Sequence, residues 1–292
     1  PYFDAHCDTL SRCAAEGRDL WENPGHLDLR RLSAYRPMGQ VFALYINSAA
    51  VAPEDRPAAL ARQAALFSQA REKYPSLMAR CALSLEGAEG ICCEAERLEE
   101  LRGWGVRWVN LTWNHPNALS GSCVTGEGLT DLGRAFARQC WALGMGVDVS
   151  HLSDQGFWDL MDMQDGPILA SHSCSRALCP HRRNLTDDMA RAIFASRGFV
   201  GVNFSVHFLG GPATAETAAD HVLHFLELGG EDSVGLGSDF DGTDMPPDLS
   251  GAEALPNLWR ALERRGCGRG LLEKLFYRNL HQFIWQERDG EG

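Results

Sequence analysis

The sequence predicts an α/β protein with the architecture of a (β/α)8 barrel. Eight short runs of apolar and β-branched residues recur along the 292-residue chain, and segments of helical character separate them. The runs are apolar nearly throughout, as is typical of a parallel sheet that is covered on its outside. Eight such strands can close into a TIM barrel. An open, doubly wound sheet is the main alternative.

Each predicted strand is a short run in which apolar, aromatic and β-branched residues dominate. The second, fourth and seventh runs read QVFALYI, VRWVNLT and FVGVNF, a composition that favours strands. In chain order, the strands are predicted at Tyr2–Ala5, Gln40–Ile46, Cys81–Leu85, Val106–Thr112, Gly146–Val149, Pro167–Ala170, Phe199–Phe204 and Ser233–Gly237.

The segments between the strands are amphipathic with the helical period. Helices are predicted at Arg56–Tyr74, Cys92–Arg102, Leu129–Leu143, Asp154–Met163, Asp187–Ala195, Thr217–Leu228, Ala252–Arg264 and Gly270–Trp285. Thr186 immediately precedes one of them and is predicted to be its N-cap. Because the chain has no internal repeat, low-complexity tract or linker, residues 1–292 are predicted to form one barrel domain with a C-terminal helical segment.

The composition excludes several classes of partner. The chain carries 27 basic and 39 acidic residues, a net charge of −12, which argues against nucleic acid and anionic membranes. No stretch approaches 18 apolar residues and no basic-then-apolar leader is present. The ten cysteines form no Cys-x-x-Cys pair, so reduced thiols are expected. We therefore expect a soluble, cytoplasmic protein.

Potential metal ligands follow five of the eight predicted strands. They are His6 and Asp8 after the first strand, Glu86 after the third, His151 after the fifth, His172 after the sixth and Asp239 after the eighth. His6 and Asp8 are two residues apart, so both face one side of an extended chain. The carboxyl ends of all strands meet at one face of a barrel. These side chains are therefore predicted to converge.

Each of these residues also has a structural explanation. His151 is a neighbour of a helix N-cap, His172 a hydrogen-bonded loop residue, Glu86 a turn residue, and Asp239 part of an Asx-type turn. Their recurrence at five strand ends favours a metal site. Three ligands would suffice for one zinc with an open position. Five or six, with Glu86 as the bridge, suit two metals about 3.5–4 Å apart. His207, after the seventh strand, is a further candidate for the lining.

Taken together, these segments resemble the membrane (renal) dipeptidase family, peptidase family M19 of the amidohydrolase superfamily. The resemblance runs from about residue 3 to residue 242 and is weak beyond. It rests on His6-Cys7-Asp8, Leu85-Glu86-Gly87, Val149-Ser150-His151, Ala170-Ser171-His172-Ser173, Arg182-Arg183-Asn184 and Gly237-Ser238-Asp239-Phe240-Asp241-Gly242.

The resemblance implies a barrel of the metal-dependent hydrolase type that holds two Zn²⁺ ions. His6 and Asp8 would hold one zinc, and His151 and His172 would hold the other. Glu86 would bridge both ions.

The resemblance also implies roles outside the ligand set. Asp239 would shuttle a proton, and Arg183 would bind the terminal carboxylate of the substrate. Better-studied members have a histidine after strand four that stabilises the oxyanion, and here Trp113 occupies that position. Trp113 is therefore predicted to contact substrate. His115, two residues on, faces the same way in an extended chain and is predicted to replace the catalytic histidine.

The resulting hypothesis is a zinc-dependent dipeptidase in which a metal-bridging hydroxide attacks the peptide bond. Arg183 would restrict substrates to short peptides, and a D-residue at the C-terminal position would be tolerated. The alternatives are another amidohydrolase reaction, such as N-acyl amino acid deacylation or lactam or phosphoester hydrolysis, and a non-enzymatic metal-binding barrel. Manganese or cobalt would fit the same ligands. The sequence leaves open whether the chain forms a homodimer.

Overall fold

Eight parallel strands form a closed barrel in a computed structural model that describes residues 1–163 and 165–285. The strands are β1 (Tyr2–Asp4), β2 (Met38–Tyr45), β3 (Cys81–Glu86), β4 (Val106–Asn110), β5 (Gly146–Asp148), β6 (Ile168–Ala170), β7 (Phe199–Val202) and β8 (Val234–Leu236). Each strand pairs with its neighbours in the sequence, and β1 closes on β8. The predicted barrel is confirmed, and the strand ends agree with the prediction to within two residues.

Helices follow the strands along the chain, between successive strands and after β8. They are α1 (Thr9–Glu16), α2 (Leu29–Leu32), α3 (Arg56–Lys73), α4 (Pro75–Met78), α5 (Leu98–Trp104), α6 (Asp131–Ala142), α7 (Asp154–Met163), α8 (Asp187–Ala195), α9 (Val206–Leu209), α10 (Ala215–Glu227), α11 (Leu255–Arg264), α12 (Arg269–Glu273) and α13 (Asn279–Trp285). Thr186 caps α8 as predicted, because its side chain accepts a hydrogen bond from the backbone N–H of Met189.

The helix predicted at Cys92–Arg102 begins too early. Cys92 and Cys93 have φ angles of 57° and 59°, a left-handed conformation that no α-helix contains. The helix therefore begins at Leu98. The short helices α1, α2, α4 and α9 were not predicted, and the last predicted helix is interrupted by a π-helical turn at 274–278. Residues 286–292 of the predicted domain lie outside the described residues.

The barrel is closed from below by aromatic side chains of the C-terminal segment. Phe3 of β1 packs against Tyr277, with ring centroids 5.7 Å apart. Phe283 of α13 contacts the rings of Trp108 and Phe199. These residues belong to a buried cluster separate from the main core. The polar residues lie at the opposite end of the barrel, where the carboxyl ends of the strands meet.

Glycines allow the last three strands to approach each other closely near that end. A Cβ atom on Gly201 of β7 or on Gly237 after β8 would overlap the carbonyl oxygen of Ser171. The backbone after β6 therefore fits only against glycine. This contact fixes the position of the segment that carries His172.

Candidate metal centre

Six polar side chains that follow five strands converge at the carboxyl end of the barrel. They are His6, Asp8, Glu86, His151, His172 and Asp239, all of them buried. His151 and Asp239 have φ angles of 78° and 65°, which are rare for residues other than glycine and cluster at functional sites. The structure therefore brings together all of the residues that were predicted as metal ligands, and Asp239 with them.

Glu86 lies between two groups of side chains. Its Oε1 atom is 2.9 Å from Nε2 of His151 and 3.7 Å from Nε2 of His172. Its Oε2 atom is 3.7 Å from Nε2 of His6. The two carboxylate oxygens thus face different sets of ligands, as a bridging carboxylate does.

His6 stands among carboxylates. Its Nε2 atom is 3.4 Å from Oδ2 of Asp8 and 3.7 Å from Oδ1 of Asp239. Within the described residues, neither ring nitrogen of this buried histidine has a hydrogen-bond partner. A buried polar atom without a partner is costly in a folded protein. Its position is explained if Nε2 binds a group that the polypeptide does not provide.

The electrostatics of the site favour a cation. Burial alone would lower the pKa of His6, but Glu86, Asp8 and Asp239 outweigh it and raise that pKa to about 10. Burial and the neighbouring Asp8 raise the pKa of Glu86 well above its usual value. Burial lowers the pKa of His172 well below its usual value. The carboxylates therefore attract positive charge, and His172 offers an uncharged nitrogen.

The residues present fit divalent metal ions. Ligand atoms of His6, Glu86 and His172 lie within 4.8 Å of one another, and so do those of His6, Asp8 and Asp239. Imidazole nitrogen and carboxylate oxygen are the ligands that zinc and related cations take. His151 adds a nitrogen 3.1 Å from that of His172.

A cavity of about 350 Å³ opens above these ligands. Tyr45, Trp113, Asn114, Arg183 and Phe208 line it together with the acidic residues. Such a volume is typical of small-molecule sites.

Arg183 brings an unpaired positive charge to this cavity. Its side chain is buried, and the guanidinium carbon lies 5.4 Å from the ring centroid of Phe208. Within residues 1–163 and 165–285, its Nε and Nη2 atoms have no hydrogen-bond partner. Two free N–H donors of one guanidinium suit the two oxygens of a carboxylate.

The segment after β4 differs from the prediction. Trp113 lines the cavity as predicted for a substrate contact, with its ring 5.2 Å from that of Tyr45. His115 is exposed and is absent from the described lining. Residues 113–115 bend, so the alternation of an extended chain does not apply. The extended-chain argument for His115 is therefore wrong, and Asn114 lines the cavity instead.

His207 also lies outside the lining that the structure describes. Its side chain is 63% exposed, with Nε2 3.8 Å from a carboxylate oxygen of Asp244. Three contributors were not predicted. Asn114 binds Nδ1 of His151 at 2.9 Å, Asn203 binds Asp239 at 2.9 Å, and Tyr45 forms part of the wall. Asn203 in the apolar run FVGVNF and Tyr45 in the run QVFALYI both lie near the carboxyl ends of predicted strands, which was the sequence signal for these two.

Comparison with known proteins identifies the family of this chain. The family model of membrane dipeptidase (peptidase family M19) matches residues 1–289. The chain belongs to the membrane dipeptidase family. As a member it is a metal-dependent enzyme that hydrolyses dipeptides, and the predicted resemblance is confirmed.

A solved relative has the same overall structure. A metallopeptidase from Rhodobacter sphaeroides, liganded with a phosphinate mimic of the dipeptide L-Ala-D-Ala, is 31% identical with a TM-score of 0.87. The comparison covers 98% of this chain and 99% of that one.

Sequence relatives include one described as a dipeptidase. Dipeptidase tcpJ of Claviceps purpurea is 35% identical over 72% of this chain and 52% of its own length. An uncharacterised protein from the pqqA 5′ region of Klebsiella pneumoniae is 38% identical over 70% of this chain and 81% of its own.

The described residues contain no helix with the length and apolar character needed to cross a membrane.

Proposed function

We propose that this membrane dipeptidase family member hydrolyses dipeptides at a centre of two zinc ions. His6 and Asp8 would hold one ion, His151 and His172 the other, and Glu86 both. The orientation of Glu86 carries the proposal, because its two oxygens face the two groups separately. Zinc suits a donor set of three imidazoles and two carboxylates.

Asp239 is positioned to move the proton. Cations held here would acidify a water molecule and polarise the scissile carbonyl. Burial raises the pKa of Asp239 to about 6, in spite of the opposing effect of His6. Cations held at the centre would lower this pKa, because they favour the charged carboxylate, so Asp239 would act first as the base that accepts a proton. In this proposal it takes the proton of the attacking water and delivers it to the leaving amine.

Arg183 would select short substrates. Its unpaired donors would bind the free C-terminal carboxylate of a peptide whose scissile bond reaches the centre. A charge-assisted pair forms only when both partners lie within hydrogen-bond distance. The carboxylate and the scissile bond of the substrate must therefore be close together in the peptide if they are to reach Arg183 and the metal centre at the same time. This supports dipeptides and argues against internal bonds of long chains.

We propose that the C-terminal residue of the substrate can have D chirality. The Rhodobacter sphaeroides relative was solved with a mimic of L-Ala-D-Ala. An anchor that binds a carboxylate does not by itself distinguish the two configurations at the α-carbon. Tyr45 and Trp113 provide an aromatic wall for the other side chain.

A substrate panel combined with metal analysis tests the proposal. L-Ala-L-Ala, L-Ala-D-Ala, an N-acetyl amino acid, a lactam and a phosphotriester are assayed with protein whose metal content is measured. We expect two equivalents of zinc and turnover of both dipeptides. A single equivalent contradicts the binuclear centre. Turnover of the N-acetyl amino acid or lactam alone favours another amidohydrolase reaction, and two equivalents without turnover favour a binding protein.

A reducing, cytoplasmic location is part of the proposal. All ten cysteines are free thiols, and six of them are buried. Free thiols persist where glutathione and thioredoxin keep them reduced. Fractionation of source cells would test the location, and sedimentation of the purified protein would decide between a monomer and the homodimer.

A further inference from the structure

Ser171 connects a buried carboxylate to one of the histidines of the centre. Its hydroxyl is hydrogen-bonded to Oδ2 of Asp148, and the same Oγ atom lies 2.7 Å from Nδ1 of His172. All three side chains are at most 1% exposed. Water therefore does not compete for these bonds.

The direction of each hydrogen bond follows from the partners of Asp148. Its Oδ1 atom accepts from the backbone N–H groups of Ser150 at 2.9 Å and of Ser171 at 3.0 Å. A carboxylate only accepts, so the hydroxyl of Ser171 donates to Oδ2. The oxygen of Ser171 is then left to accept, and the proton of the neutral His172 ring must lie on Nδ1. Nε2, which faces Glu86, carries the lone pair.

We propose that Asp148 and Ser171 are positioning residues that hold the proton of His172 on Nδ1 and so keep Nε2 ready to bind metal. The inference rests on the proposed function, because it takes His172 as a ligand. A partner on the non-coordinating nitrogen orients a metal-binding histidine and fixes its tautomer. None of the sequence motifs singled out Asp148.

A second buried pair, Asp4 and Ser238, has the same arrangement as Asp148 and Ser171, but no histidine ring in the described part of the chain is bonded to its serine. Asp4 accepts from the backbone N–H of Ser238 at 2.8 Å, and the hydroxyl of Ser238 is hydrogen-bonded to its other oxygen. Asp4 and Ser238 are as buried as Asp148 and Ser171. Among the hydrogen bonds of the described residues, Ser238 reaches the backbone oxygen of His6 but no histidine ring. Both substitutions to alanine remove a buried hydrogen bond to an aspartate, but only the one at Ser171 also removes a partner of a histidine ring. Comparing them therefore distinguishes a general effect on stability from a specific effect on His172.

The first experiment compares S171A, S171T and S238A in the full-length protein. Zinc affinity is measured by competition with a chromophoric chelator. We expect S171A to weaken one of the two zinc equivalents by about 10–100-fold, as with loss of other such partners. S171T keeps the hydroxyl and should restore most of the affinity, and S238A should change it much less. Equal losses in S171A and S238A would overturn the inference.

A second experiment uses Asp148→Asn, which keeps the shape but reverses the bonds. Two backbone N–H groups hold an acceptor at the Oδ1 position, so the new amide nitrogen faces Ser171. It donates to the Ser171 oxygen, and the hydroxyl then donates to Nδ1 of His172. We expect the proton to move to Nε2, which long-range ¹H–¹⁵N spectra of the metal-free protein report. A proton on Nδ1 in both forms would contradict the proposed chain of bonds.

His172→Asn distinguishes failure of this inference from failure of the proposed function. If H172N binds zinc like the wild type, the proposed ligand set is wrong. If H172N loses zinc while S171A and D148N retain it, only the role of Asp148 and Ser171 is refuted. Should S171A not fold, the comparison of S171T with D148N answers the same question, because neither creates a cavity.

Discussion

Asn203 holds one oxygen of Asp239 and leaves the other directed at the centre. The side-chain amide of Asn203 donates to Oδ2 of Asp239 at 2.9 Å, while Oδ1 lies 3.7 Å from Nε2 of His6. The two residues follow the neighbouring strands β7 and β8. A carboxylate fixed at one oxygen can exchange a proton at the other without reorientation.

Asp239→Asn should therefore separate catalysis from metal binding. We expect kcat to fall by about 10²–10⁴-fold, the usual contribution of a general acid–base group, while two metal equivalents remain by mass-spectrometric analysis. Asp244→Asn, which removes an exposed acid from the same loop, should leave kcat unchanged. Loss of metal from the Asp239 variant, with activity recovered at high zinc, would instead identify Asp239 as a ligand.

Arg183→Ala should lower kcat/KM only for substrates that have a free carboxylate. A hydrogen bond to a charged group contributes about 1.5–3 kcal/mol, so we expect kcat/KM for free dipeptides to fall by about 10–100-fold. The adjacent Arg182 is exposed, and Arg182→Ala is the matched control for the loss of charge. Amidated dipeptides serve as the second comparison. An equal loss on free and amidated substrates would refute the carboxylate contact.

Gly242→Ala should damage the site without unfolding the barrel. A Cβ atom at this position would overlap carboxylate oxygens of Asp8 and Asp239, which are side-chain ends that can move. We expect the free energy of unfolding to change by no more than about 1 kcal/mol, while metal affinity falls at least about 10-fold. Gly270→Ala, where nothing lies within 4 Å, is the control. Unchanged metal affinity in the Gly242 variant would show that the carboxylates do not need their present positions.

The part of the site that the sequence predicts is the part fixed by topology. His6 and Glu86 converge because both follow strands of a closed parallel barrel, and no detail of the loops is needed. The contact between Asn114 and His151 depends on a bend at 113–115. The prediction placed His115 in the site instead of Asn114, because it assumed an extended chain in which alternate residues face the same side.

Local backbone geometry limited the prediction of the helices in a similar way. Cys92 and Cys93 lie in a segment with ordinary helical character, yet both are left-handed in the fold. Such a conformation is imposed by the surrounding turn, because cysteine has no intrinsic preference for it. The pairing of Asp148 with Ser171 likewise requires the register of β5 and β6, which apolar runs alone do not determine.

His221 should make the protein sensitive to mild acid. Its buried ring accepts from the backbone N–H of Ser175 at Nδ1 and lies 3.0 Å from the carbonyl oxygen of Leu209 at Nε2, which is the bonding of a neutral imidazole. Burial lowers its pKa below the usual 6.5. The unfolded chain therefore binds a proton below pH 6.5 that the folded chain does not. Stability from this source is complete above that pH and is lost as the pH falls.

Uptake of one proton by His221 on unfolding should make the free energy of unfolding fall by up to about 1.4 kcal/mol for each unit of decrease in pH. This slope should extend from pH 6.5 down to the pKa of His221 in the folded chain. Urea unfolding of the wild type and of His221→Gln, both in excess chelator, would be measured between pH 5 and 8. The substitution shifts the whole curve by a constant, but only the histidine adds the slope. We therefore expect the two curves to converge as the pH falls, because the variant has no proton to bind at this position. Curves that remain parallel from pH 8 to pH 5 would show that His221 takes up its proton equally in the folded and unfolded chains.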